Sequence, residues 1–486
     1  MRETTLTELS DRLVREHVGL RSDSRRVRPG DIFVALPGSQ VDGARFMADA
    51  LAAGAVAVVG REMPDCGDTD ALFLRSDDPV RDLAMLAQAA YGTETLPFPV
   101  VGVTGTNGKT TVTYLLEHLF RANGRASGVV GTVSYRWPGY EEDAPLTTPD
   151  LLRLHDMLSG MRQGGVQGAF MEMSSHALAQ RRAAGVPFAG AVFTNLTQDH
   201  LDYHKDMEEY FQAKAQLFEL IGPDGVMAVN SDDAYGRRLL SMHPRAVGYG
   251  LQEAQGLANA LLKGRILSNS PTGLRLALSW KGQDWRISSP LIGAYNALNI
   301  LAVQVVGLGL GFSAQELDCF GDFYGVSGRL ERIPAQRGGR DLHIFVDYAH
   351  TPDALVNVLT ALRGVGFKRI VTVFGCGGDR DKSKRPRMGA AVASLSDVAV
   401  LTSDNPRHEE PLAIMDDVMP GLKDGPASLE IVAEPDRRKA IELALDMIRP
   451  GDALLIAGKG HERTQQIGDH KYPFNDQDVV RECVCA

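Results

Sequence analysis

Short apolar runs alternate with amphipathic stretches along most of the chain. Near the start, DIFVAL, AVAVVG and ALFLRS have the length and content of buried strands, and ARFMADALAAG and DPVRDLAMLAQAAYG have the apolar spacing of helices. The stretch GTETLPFP then breaks the periodicity with two prolines. The pattern predicts a small α/β domain over residues 1–96.

A second block of strands and helices follows this break. PVVGVTG reads as a strand, TVTYLLEHLFRANG as a helix, and GAFMEMSS, GAVFTNL and GVMAVN as inner strands of a mostly parallel sheet. The region from Leu262 to Pro290 alternates as an antiparallel excursion, and LIGAYNALNILAVQVVGLGL resumes helical spacing. We predict a central domain over residues 97–331.

The third block alternates strands and helices most regularly. HIFVDYAH, RIVTVFGCGG, VAVLTSDN, EIVAE and DALLIAGKGH are separated by helical patterns. This order predicts a doubly wound, Rossmann-like α/β domain over residues 332–486. Ligands in such sheets bind beyond the carboxyl ends of the strands, where DYAH, GCGGDRD, TSDNPR and AGKGHE fall. We therefore expect four loops to face one crevice.

Composition narrows the classes of protein that remain. The 486 residues are 44% hydrophobic and 23% charged, which is typical of a folded protein, and a net charge of -10 argues against a nucleic-acid binder. No apolar run approaches the roughly 20 residues of a membrane span, and the N-terminus lacks the apolar core of a secretory signal. Five scattered cysteines favour reduced thiols. We expect a cytoplasmic protein whose terminal CVC is a frayed end, although this pair could touch a metal.

The segment GVTGTNGKTT misses the general phosphate-loop pattern by one residue. The physical requirements are still met, because Gly105 and Gly108 let backbone N–H groups turn toward an anion and a helix begins at the same point. Lys109 supplies a positive charge, and the hydroxyl of Thr110 can bind Mg²⁺. The segment predicts a nucleotide-phosphate site, and the alternative is a plain glycine turn at a strand end.

Two further segments carry candidate metal ligands. Glu172 stands at a strand end in MEMSSH, and His200 lies in TQDHLDYH. Mg²⁺ prefers oxygen ligands, so the carboxylate is the stronger candidate. The group Asp199, His200, Asp202 and His204 leaves zinc open as an alternative.

The stretch GGDRDKSKRPR reads as a basic loop, with basic residues from Arg380 to Arg387, and a further arginine stands at Arg407. Arginine pairs with carboxylates through two parallel hydrogen bonds, which indicates a carboxylated small molecule. Asp404 and Glu462 nearby could receive an ammonium group, so the set suits an amino acid. The alternative is a solvated basic loop beside ordinary turns.

Eleven segments together resemble the Mur ligase family over nearly the whole chain. They are DSRRVRPGDIFVAL, VTGTNGKTT, LTTPD, MEMSSHAL, TNLTQDHLDYH, AYNALN, SGRLE, DYAHTPD, GCGGDRDKSKRP, TSDNPRHEEP and AGKGHE. The resemblance implies three α/β domains: an N-terminal UDP-binding domain, a central P-loop ATPase-like domain and a C-terminal amino-acid-binding domain. It also implies ATP-dependent amide formation through an acyl phosphate, in peptidoglycan precursor synthesis, and we expect a monomer.

The resemblance assigns residues to the nucleotide and the metal. For ATP it implies Gly105, Thr106, Asn107, Gly108, Lys109, Thr110, Thr111, Asn296, Arg329 and Asp347. For Mg²⁺ it implies Thr110, Glu172, His200 and Lys214, with Lys214 carbamylated to N6-carboxylysine so that the side chain is an anion. Lys109, Lys214, Glu172 and His200 are the implied catalytic residues.

The resemblance also assigns the two remaining substrates. For UDP-MurNAc-L-Ala-D-Glu it implies Ser22, Ser24, Ser39, Gln40, Val41, Thr147, Thr148, Ser174, Gln180 and Arg182. For the amino acid it implies Arg380, Asp404, Asn405, Pro406, Arg407, Gly458 and Glu462. Family members that add meso-diaminopimelate carry DNPR, because the arginine has a second carboxylate to bind. The resemblance therefore implies meso-diaminopimelate as the amino acid. The alternatives are the same reaction with L-lysine, a folylpolyglutamate-synthase reaction, and a P-loop ATPase with an amino-acid regulatory domain.

Overall fold

A computed structural model of the chain describes residues 1–38, 41–66, 69–200, 203–253, 256–257, 259–337 and 340–485. The chain groups into two compact units. The first contains Met1–Thr104, Phe120–Val192 and His200–Met227, and the second contains Gly105–Leu119, Phe193–Asp199 and Ala228–Ala486. Within the described ranges, no helix combines the length and the apolar character needed to cross a membrane.

The first unit opens with a parallel sheet in the order β1-β5-β4-β3-β2. Its elements are β1 (Arg2–Glu3), α1 (Leu6–Arg15), β2 (Leu20–Arg21), β3 (Ile32–Val34), α2 (Met47–Ala52), β4 (Ala57–Gly60), β5 (Leu72–Arg75) and α3 (Pro79–Tyr91). Side chains alternate across a strand, so Ile32 and Val34 pack with α1 and α3 while Phe33 packs with α2. The predicted strands and α3 are confirmed, and a 3-10 turn, Gly43–Phe46, precedes the shorter α2.

The rest of the first unit builds on a second sheet. Along the chain come β6 (Val100–Thr104), the last residues of α4 (Lys109–Ala122), β7 (Gly128–Val130), β8 (Ser134–Trp137), β9 (Tyr140–Asp143), α5 (Leu151–Gln163), β10 (Ala169–Glu172), α6 (Ser175–Ala179), β11 (Phe188–Phe193) and α7 (Met207–Glu219). The strand order is β11-β6-β10-β7-β8-β9. Strands β6, β10 and β7 are parallel, and the hairpin β8–β9 adds an antiparallel edge.

The second unit contains most of α4 and, from Ala228 onward, a group of parallel and antiparallel strands. These elements are β12 (Val226–Asn230), α8 (Ala234–Met242), β13 (Val247–Gly250), β14 (Leu261–Ser270), β15 (Gly273–Trp280), β16 (Gln283–Ser289) and α9 (Ala294–Gly309). Strands β12, β13 and β14 are parallel, whereas β14, β15 and β16 pair antiparallel. The antiparallel excursion predicted from Leu262 to Pro290 is confirmed.

The second unit also contains a six-stranded sheet in the order β17-β18-β22-β19-β20-β21. Its elements are β17 (Glu331–Arg337), β18 (Arg340–Asp347), α10 (Pro352–Val365), β19 (Ile370–Phe374), α11 (Lys384–Leu395), β20 (Val398–Leu401), α12 (Pro411–Lys423), β21 (Glu430–Ala433), α13 (Arg437–Met447), β22 (Ala453–Ala457), the hairpin β23 (Thr464–Ile467) and β24 (His470–Pro473), and α14 (Asp476–Cys485). All strands from β18 to β21 in this order are parallel, and β17 is an antiparallel edge.

Helices cover both faces of this sheet, as predicted for a doubly wound domain. Residues of α10, α11 and α12 form one hydrophobic core with the sheet, and residues of α13 and α14 form the other. Because β18, β22, β19 and β20 are parallel neighbours, the loops after them leave the same edge. The four predicted loops therefore do lie together at one edge.

Two local expectations differ from the structure. The basic run was expected to be a loop as far as Arg387, but α11 begins at Lys384. Arg385 is buried there and binds Glu409 and Asp417, which removes it from the candidate ligand-binding residues. The CVC end was expected to be frayed, but Cys483 belongs to α14 and packs against the core.

Candidate active site

The phosphate loop connects β6 to α4. Gly105 and Gly108 have φ angles of 144° and 89°, which residues with a β-carbon rarely adopt. A β-carbon on Gly105 would overlap Thr194 Oγ1, and one on Gly108 would lie 2.6 Å from Asn299 Oδ1. The loop therefore needs glycine at both positions, for backbone conformation and for space.

Lys109 is the first residue of α4, and its Nζ donates to the carbonyl oxygens of Gly105 and Thr106 at 3.0 Å each. The ammonium group thus lies across the loop, where it can exchange backbone acceptors for phosphate oxygens. Thr110 and Thr111 follow in the first turn and are buried. The N-terminal end of a helix carries partial positive charge, which adds to the attraction for an anion.

Asn296 is connected to this loop through a second asparagine. Asn299 Nδ2 donates to Asn296 Oδ1 at 3.1 Å, and Asn296 Nδ2 donates to Ile292 O at 2.9 Å. The other amide atom of Asn299, Oδ1, is the neighbour of Gly108 described above. The structure therefore brings Asn296 into one network with the phosphate loop.

Arg329 and Asp347 lie together at the end of β18. Asp347 accepts from the N–H groups of Leu330 and Ala349 at 2.6 and 2.8 Å. Burial raises the pKa of Asp347, and the charge of Arg329 opposes that rise. The Arg329 guanidinium lies 4.7 Å from the centre of the Tyr348 ring. A buried carboxylate beside an arginine can accept hydrogen bonds from ribose hydroxyls.

The amino-acid residues predicted from the motifs converge at the carboxyl ends of β19, β20 and β22. A β-carbon on Gly377 would lie 3.0 Å from Arg407 Nη1 and 3.8 Å from Arg380 Cγ, so the two arginines border the same space. Asn405 Nδ2 donates to Glu462 Oε2 at 2.9 Å.

Asp404 and Pro406 complete this group. A β-carbon on Gly458 would lie 2.8 Å from Asp404 Oδ2, so the absence of a side chain at Gly458 lets Asp404 approach. The carbonyl oxygen of Pro406 lies against Gly378 in the same way. Two arginines and two carboxylates at one edge can bind both ends of an amino acid.

Lys459 is a member of this cluster that the sequence did not reveal as functional. Its side chain is fully buried, and Nζ donates to Asn405 Oδ1 at 3.1 Å and to Glu462 Oε2 at 2.8 Å. Burial alone would raise the pKa of Glu462, but Lys459 and Asn405 lower it below its ordinary value. Burial raises the pKa of Asp404. The pKa values of the two carboxyl groups are therefore shifted in opposite directions, and Glu462 is held in the ionised form.

In the first unit, a hydrogen-bonded cluster joins five of the predicted residues. Thr148 Oγ1 donates to Glu172 O at 2.7 Å and accepts from Ser174 N at 3.1 Å. Arg182 Nη1 donates to Thr148 O at 2.9 Å, and its Nε donates to Gln180 Oε1 at 2.9 Å.

Thr132, which was not predicted, organises the same cluster. Its N–H and hydroxyl donate to the two oxygens of Glu172 at 2.8 and 3.0 Å, and its hydroxyl lies 3.2 Å from that of Thr147. Glu172 is 1% exposed. The two hydrogen bonds from Thr132 thereby orient the buried carboxylate.

His200 and Lys214 face the same aromatic ring. The His200 ring centre is 6.1 Å from that of Tyr210, and Lys214 Nζ lies 4.5 Å from the Tyr210 centroid. Lys214 is 1% exposed, on the buried side of α7. Within the described part of the chain, no cluster of three or more His, Cys, Asp or Glu side chains suited to a metal is found. Asp202, one of the zinc candidates, lies outside the described residues.

The remaining predicted positions lie in the first 41 residues. Ser22 follows β2, Ser24 begins a 3-10 turn, and Val41 is 44% exposed. The cluster around Thr148 does not include them. Ser39 and Gln40 lie outside the described residues. All five assignments stay predictions.

Family models match three stretches of the chain. Residues 17–79 match "Mur ligase family, catalytic domain", residues 103–307 match "Mur ligase middle domain", and residues 328–460 match "Mur ligase, glutamate ligase domain". These stretches contain the phosphate loop, the Thr148 cluster and the arginine-lined edge.

Curated relatives and solved structures agree with the models. The chain is 55% identical to a UDP-N-acetylmuramoyl-L-alanyl-D-glutamate--2,6-diaminopimelate ligase from Lawsonia intracellularis, with 99% of each chain covered. It is 44% identical to the ligase of that name from Gloeobacter violaceus, covering 96% of this chain and 93% of the relative.

A solved structure with the same ligase name has a TM-score of 0.70 at 32% identity, covering 96% of this chain and 94% of the other. A MurF ligase from Thermotoga maritima in complex with ADP shares the fold, with a TM-score of 0.59 at 20% identity, covering 92% of this chain and 94% of that one. The identity to the relatives extends over nearly the full length. The chain belongs to the Mur ligase family of ATP-dependent, amide-bond-forming ligases.

Proposed function

We propose that this chain joins meso-2,6-diaminopimelate to UDP-MurNAc-L-Ala-D-Glu, with ATP and Mg²⁺, in the cytoplasmic synthesis of peptidoglycan precursors. The observation that carries the substrate choice is that Arg380 and Arg407 border one space at the same sheet edge as Asp404 and Glu462. The names of the relatives support the same substrates. We further propose that the enzyme acts as a monomer with domains over residues 1–96, 97–331 and 332–486.

The two arginines fit diaminopimelate better than lysine. Diaminopimelate carries a second carboxylate where lysine has only hydrogen, and a guanidinium can bind that carboxylate through two hydrogen bonds. Arg407 Nη1 donates to Gly378 O at 2.7 Å, which fixes the fork at the border of this space. Asp404 and Glu462 supply the negative charge that an ammonium group needs.

The acceptor carboxylate would be activated at the phosphate loop. Lys109 and the N-terminal end of α4 stabilise charge on the phosphates while the γ-phosphoryl group passes from ATP to the free carboxylate of the D-Glu residue. The product is an acyl phosphate, whose phosphate is a far better leaving group than oxide. The amine then attacks the acyl carbon, and phosphate departs.

Glu172, Thr110, His200 and a carbamylated Lys214 are the residues that would hold magnesium. This set is dominated by oxygen once Lys214 carries a carbamate, and the buried, oriented carboxylate of Glu172 fits that use. Magnesium held there would supply positive charge to the phosphate oxygens. Arg182, Ser174 and Thr148 would bind the dipeptide portion of the acceptor.

The test is a competition assay. The protein is incubated with UDP-MurNAc-L-Ala-D-Glu labelled with ¹⁸O in the D-Glu side-chain carboxylate, ATP, and equal diaminopimelate and L-lysine. We expect a tripeptide product whose mass corresponds to diaminopimelate, and one ¹⁸O atom in the released phosphate. Equal or better use of lysine would overturn the substrate choice, and phosphate release without a peptide product would favour an amino-acid-regulated ATPase.

A matched pair of variants separates the arginine from general charge effects. Arg407→Ala should raise the KM for diaminopimelate by at least tenfold, because a charge-assisted hydrogen bond contributes roughly 1.5–3 kcal/mol. Arg463→Ala removes an exposed arginine next to Glu462 in the sequence and should leave this KM unchanged.

A further inference from the structure

Asn107 in the phosphate loop is held by a carboxylate that is distant in the sequence. Asp353 Oδ2 accepts hydrogen bonds from Asn107 Nδ2 at 3.0 Å, from Thr197 Oγ1 at 2.8 Å and from Asn357 Nδ2 at 3.0 Å. Asn107 lies in the stretch that matches the middle domain, and Asp353 lies in the stretch that matches the glutamate ligase domain. One side chain therefore connects the loop to the first turn of α10.

The same carboxylate also holds the segment that supports the loop backbone. Thr194 Oγ1 and Asn195 Nδ2 donate to Asn107 O at 2.6 and 3.2 Å, and Asn107 N donates to Asn195 Oδ1 at 3.0 Å. Further along the segment, Thr197 N donates to Thr106 Oγ1 at 3.0 Å. Residues 194–197 thus bind the loop main chain, and Asp353 binds both that segment and the loop side chain.

We propose that Asp353 is a positioning residue for ATP, which fixes the phosphate loop through Asn107 and Thr197. It is six residues beyond Asp347, in the first turn of α10. The loop and the proposed ribose contact are thereby supported by the same short stretch of chain. A movement that separates Asp353 from Asn107 removes this support from the loop side chain, so nucleotide affinity depends on how α10 is placed.

The sign of the effect distinguishes positioning from simple electrostatics. A carboxylate repels phosphate, so removing the charge of Asp353 without any positioning role would leave ATP binding unchanged or make it tighter. A positioning role predicts the reverse. Asp353→Ala removes acceptors for both Asn107 and Thr197 and should weaken ATP binding, whereas Asp353→Asn keeps one carbonyl oxygen as an acceptor.

The experiment combines nucleotide binding with a double-mutant cycle. In Asp353→Ala, we expect the KM for ATP and the calorimetric Kd for ADP to rise about tenfold, since hydrogen bonds to a charged acceptor are lost. The KM values for the other two substrates should change less than twofold. Asp353→Asn should recover most of the loss. Asn107→Ala/Asp353→Ala should bind no more than about threefold worse than Asn107→Ala, because the two residues act as one unit.

Asn357→Ala is the matched control, because Asn357 also donates to Asp353 but makes no described contact with the loop. It should keep the ATP KM of the unmodified enzyme. Hydrogen exchange of residues 102–111 provides a measurement independent of turnover, and Asp353→Asn can be used for it should the alanine variant not fold. We expect much faster exchange in this loop in Asp353→Ala, and slightly faster exchange in Asp353→Asn because a neutral amide is a weaker acceptor than a carboxylate. Exchange in the Asn357 variant should be unchanged.

Two results would overturn the proposal: unchanged or tighter nucleotide binding in Asp353→Ala, or losses in the double variant that simply add. The proposal rests on the proposed function only in taking ATP as the ligand of the loop. If the unmodified enzyme makes the tripeptide and the Asp353 variants bind ATP normally, the inference fails alone. If no peptide product forms with any amino acid, the proposed function fails, and ADP binding still tests Asp353.

Discussion

The ion pair between Arg437 and Asp476 supports the sheet edge that carries Asp404 and Gly458. Both side chains are fully buried, with Nε to Oδ1 at 2.8 Å and Nη2 to Oδ2 at 2.7 Å. Arg437 Nη2 also donates to Ala457 O at 3.0 Å, immediately before Gly458, and Nη1 donates to Ser403 O at 3.4 Å, immediately before Asp404. Burial alone would lower the pKa of Arg437, and the charge and hydrogen bonds of Asp476 raise it.

The consequence of breaking this pair can be worked out from these contacts. Arg437→Met leaves a carboxylate buried without its partner, which costs about 3–5 kcal/mol, and withdraws the donor from two carbonyl groups. We expect the free energy of opening of β20 and β22 to fall by about 4 kcal/mol. Arg437→Met/Asp476→Leu replaces the pair with apolar side chains and should recover most of that loss.

Hydrogen exchange of β20 and β22, followed by mass spectrometry, measures this local opening. The matched control is Arg438→Met, because Arg438 pairs with Glu482 at 2.8 Å on the surface and should contribute no more than about 1 kcal/mol. The reasoning is refuted if Arg437→Met stays within 1 kcal/mol of the unmodified protein, or if the double variant is no more stable than the single one.

Three further perturbations test separate parts of the structure. Gly108→Ala should weaken ADP binding by at least tenfold, since a β-carbon would lie 2.6 Å from Asn299 Oδ1. Gly124→Ala is the control, because Gly124 also has a positive φ but a β-carbon there would meet nothing within 4 Å, and its ADP affinity should not change. Equal ADP affinities in the two variants would contradict this account. Burial lowers the pKa of His155 below the ordinary 6.5, so the unfolded state binds a proton more readily than the folded state, and the free energy of unfolding falls as the pH drops below 6.5. His155→Leu should reduce this dependence of the free energy of unfolding on pH in acid denaturation. An unchanged pH dependence would contradict the role assigned to His155. Lys214→Ala should abolish ligation while Lys214→Glu, which supplies a carboxylate, retains part of it; full activity in the alanine variant would remove Lys214 from the mechanism.

The strands and helices that form the α/β sheets could be predicted from the sequence because their apolar periodicity is strong. The segments DIFVAL, PVVGVTG and RIVTVF form β3, β6 and β19. The antiparallel excursion predicted from Leu262 to Pro290 forms β14, β15 and β16. The hairpin β8–β9 was missed although Pro138 and Gly139 mark its turn, since its strands lack a continuous apolar face. The hairpin β23–β24 has mostly polar residues and gave no periodic signal.

The candidate site was predictable where a motif supplied the residue and not where support came from elsewhere in the fold. The motifs indicated Asp404, Asn405 and Glu462, and the structure brings all three together. Lys459 lies in the AGKGHE motif but received no role from the sequence, because its burial and its ion pair with Glu462 are visible only in the structure. Asp353 acts across 246 positions of sequence, a distance over which no spacing rule applies.

The crowding at Gly105 and Gly108 bears on how the loop could be attacked by inhibitors. Every single-base change that turns a glycine codon into that of another amino acid introduces a β-carbon. At these two positions that atom would meet Thr194 or Asn299, whatever the rest of the side chain. An inhibitor whose affinity depends on the main chain at both glycines would therefore meet few resistance substitutions at these positions, because a substitution that excludes the inhibitor would also distort the loop that we propose binds the nucleotide.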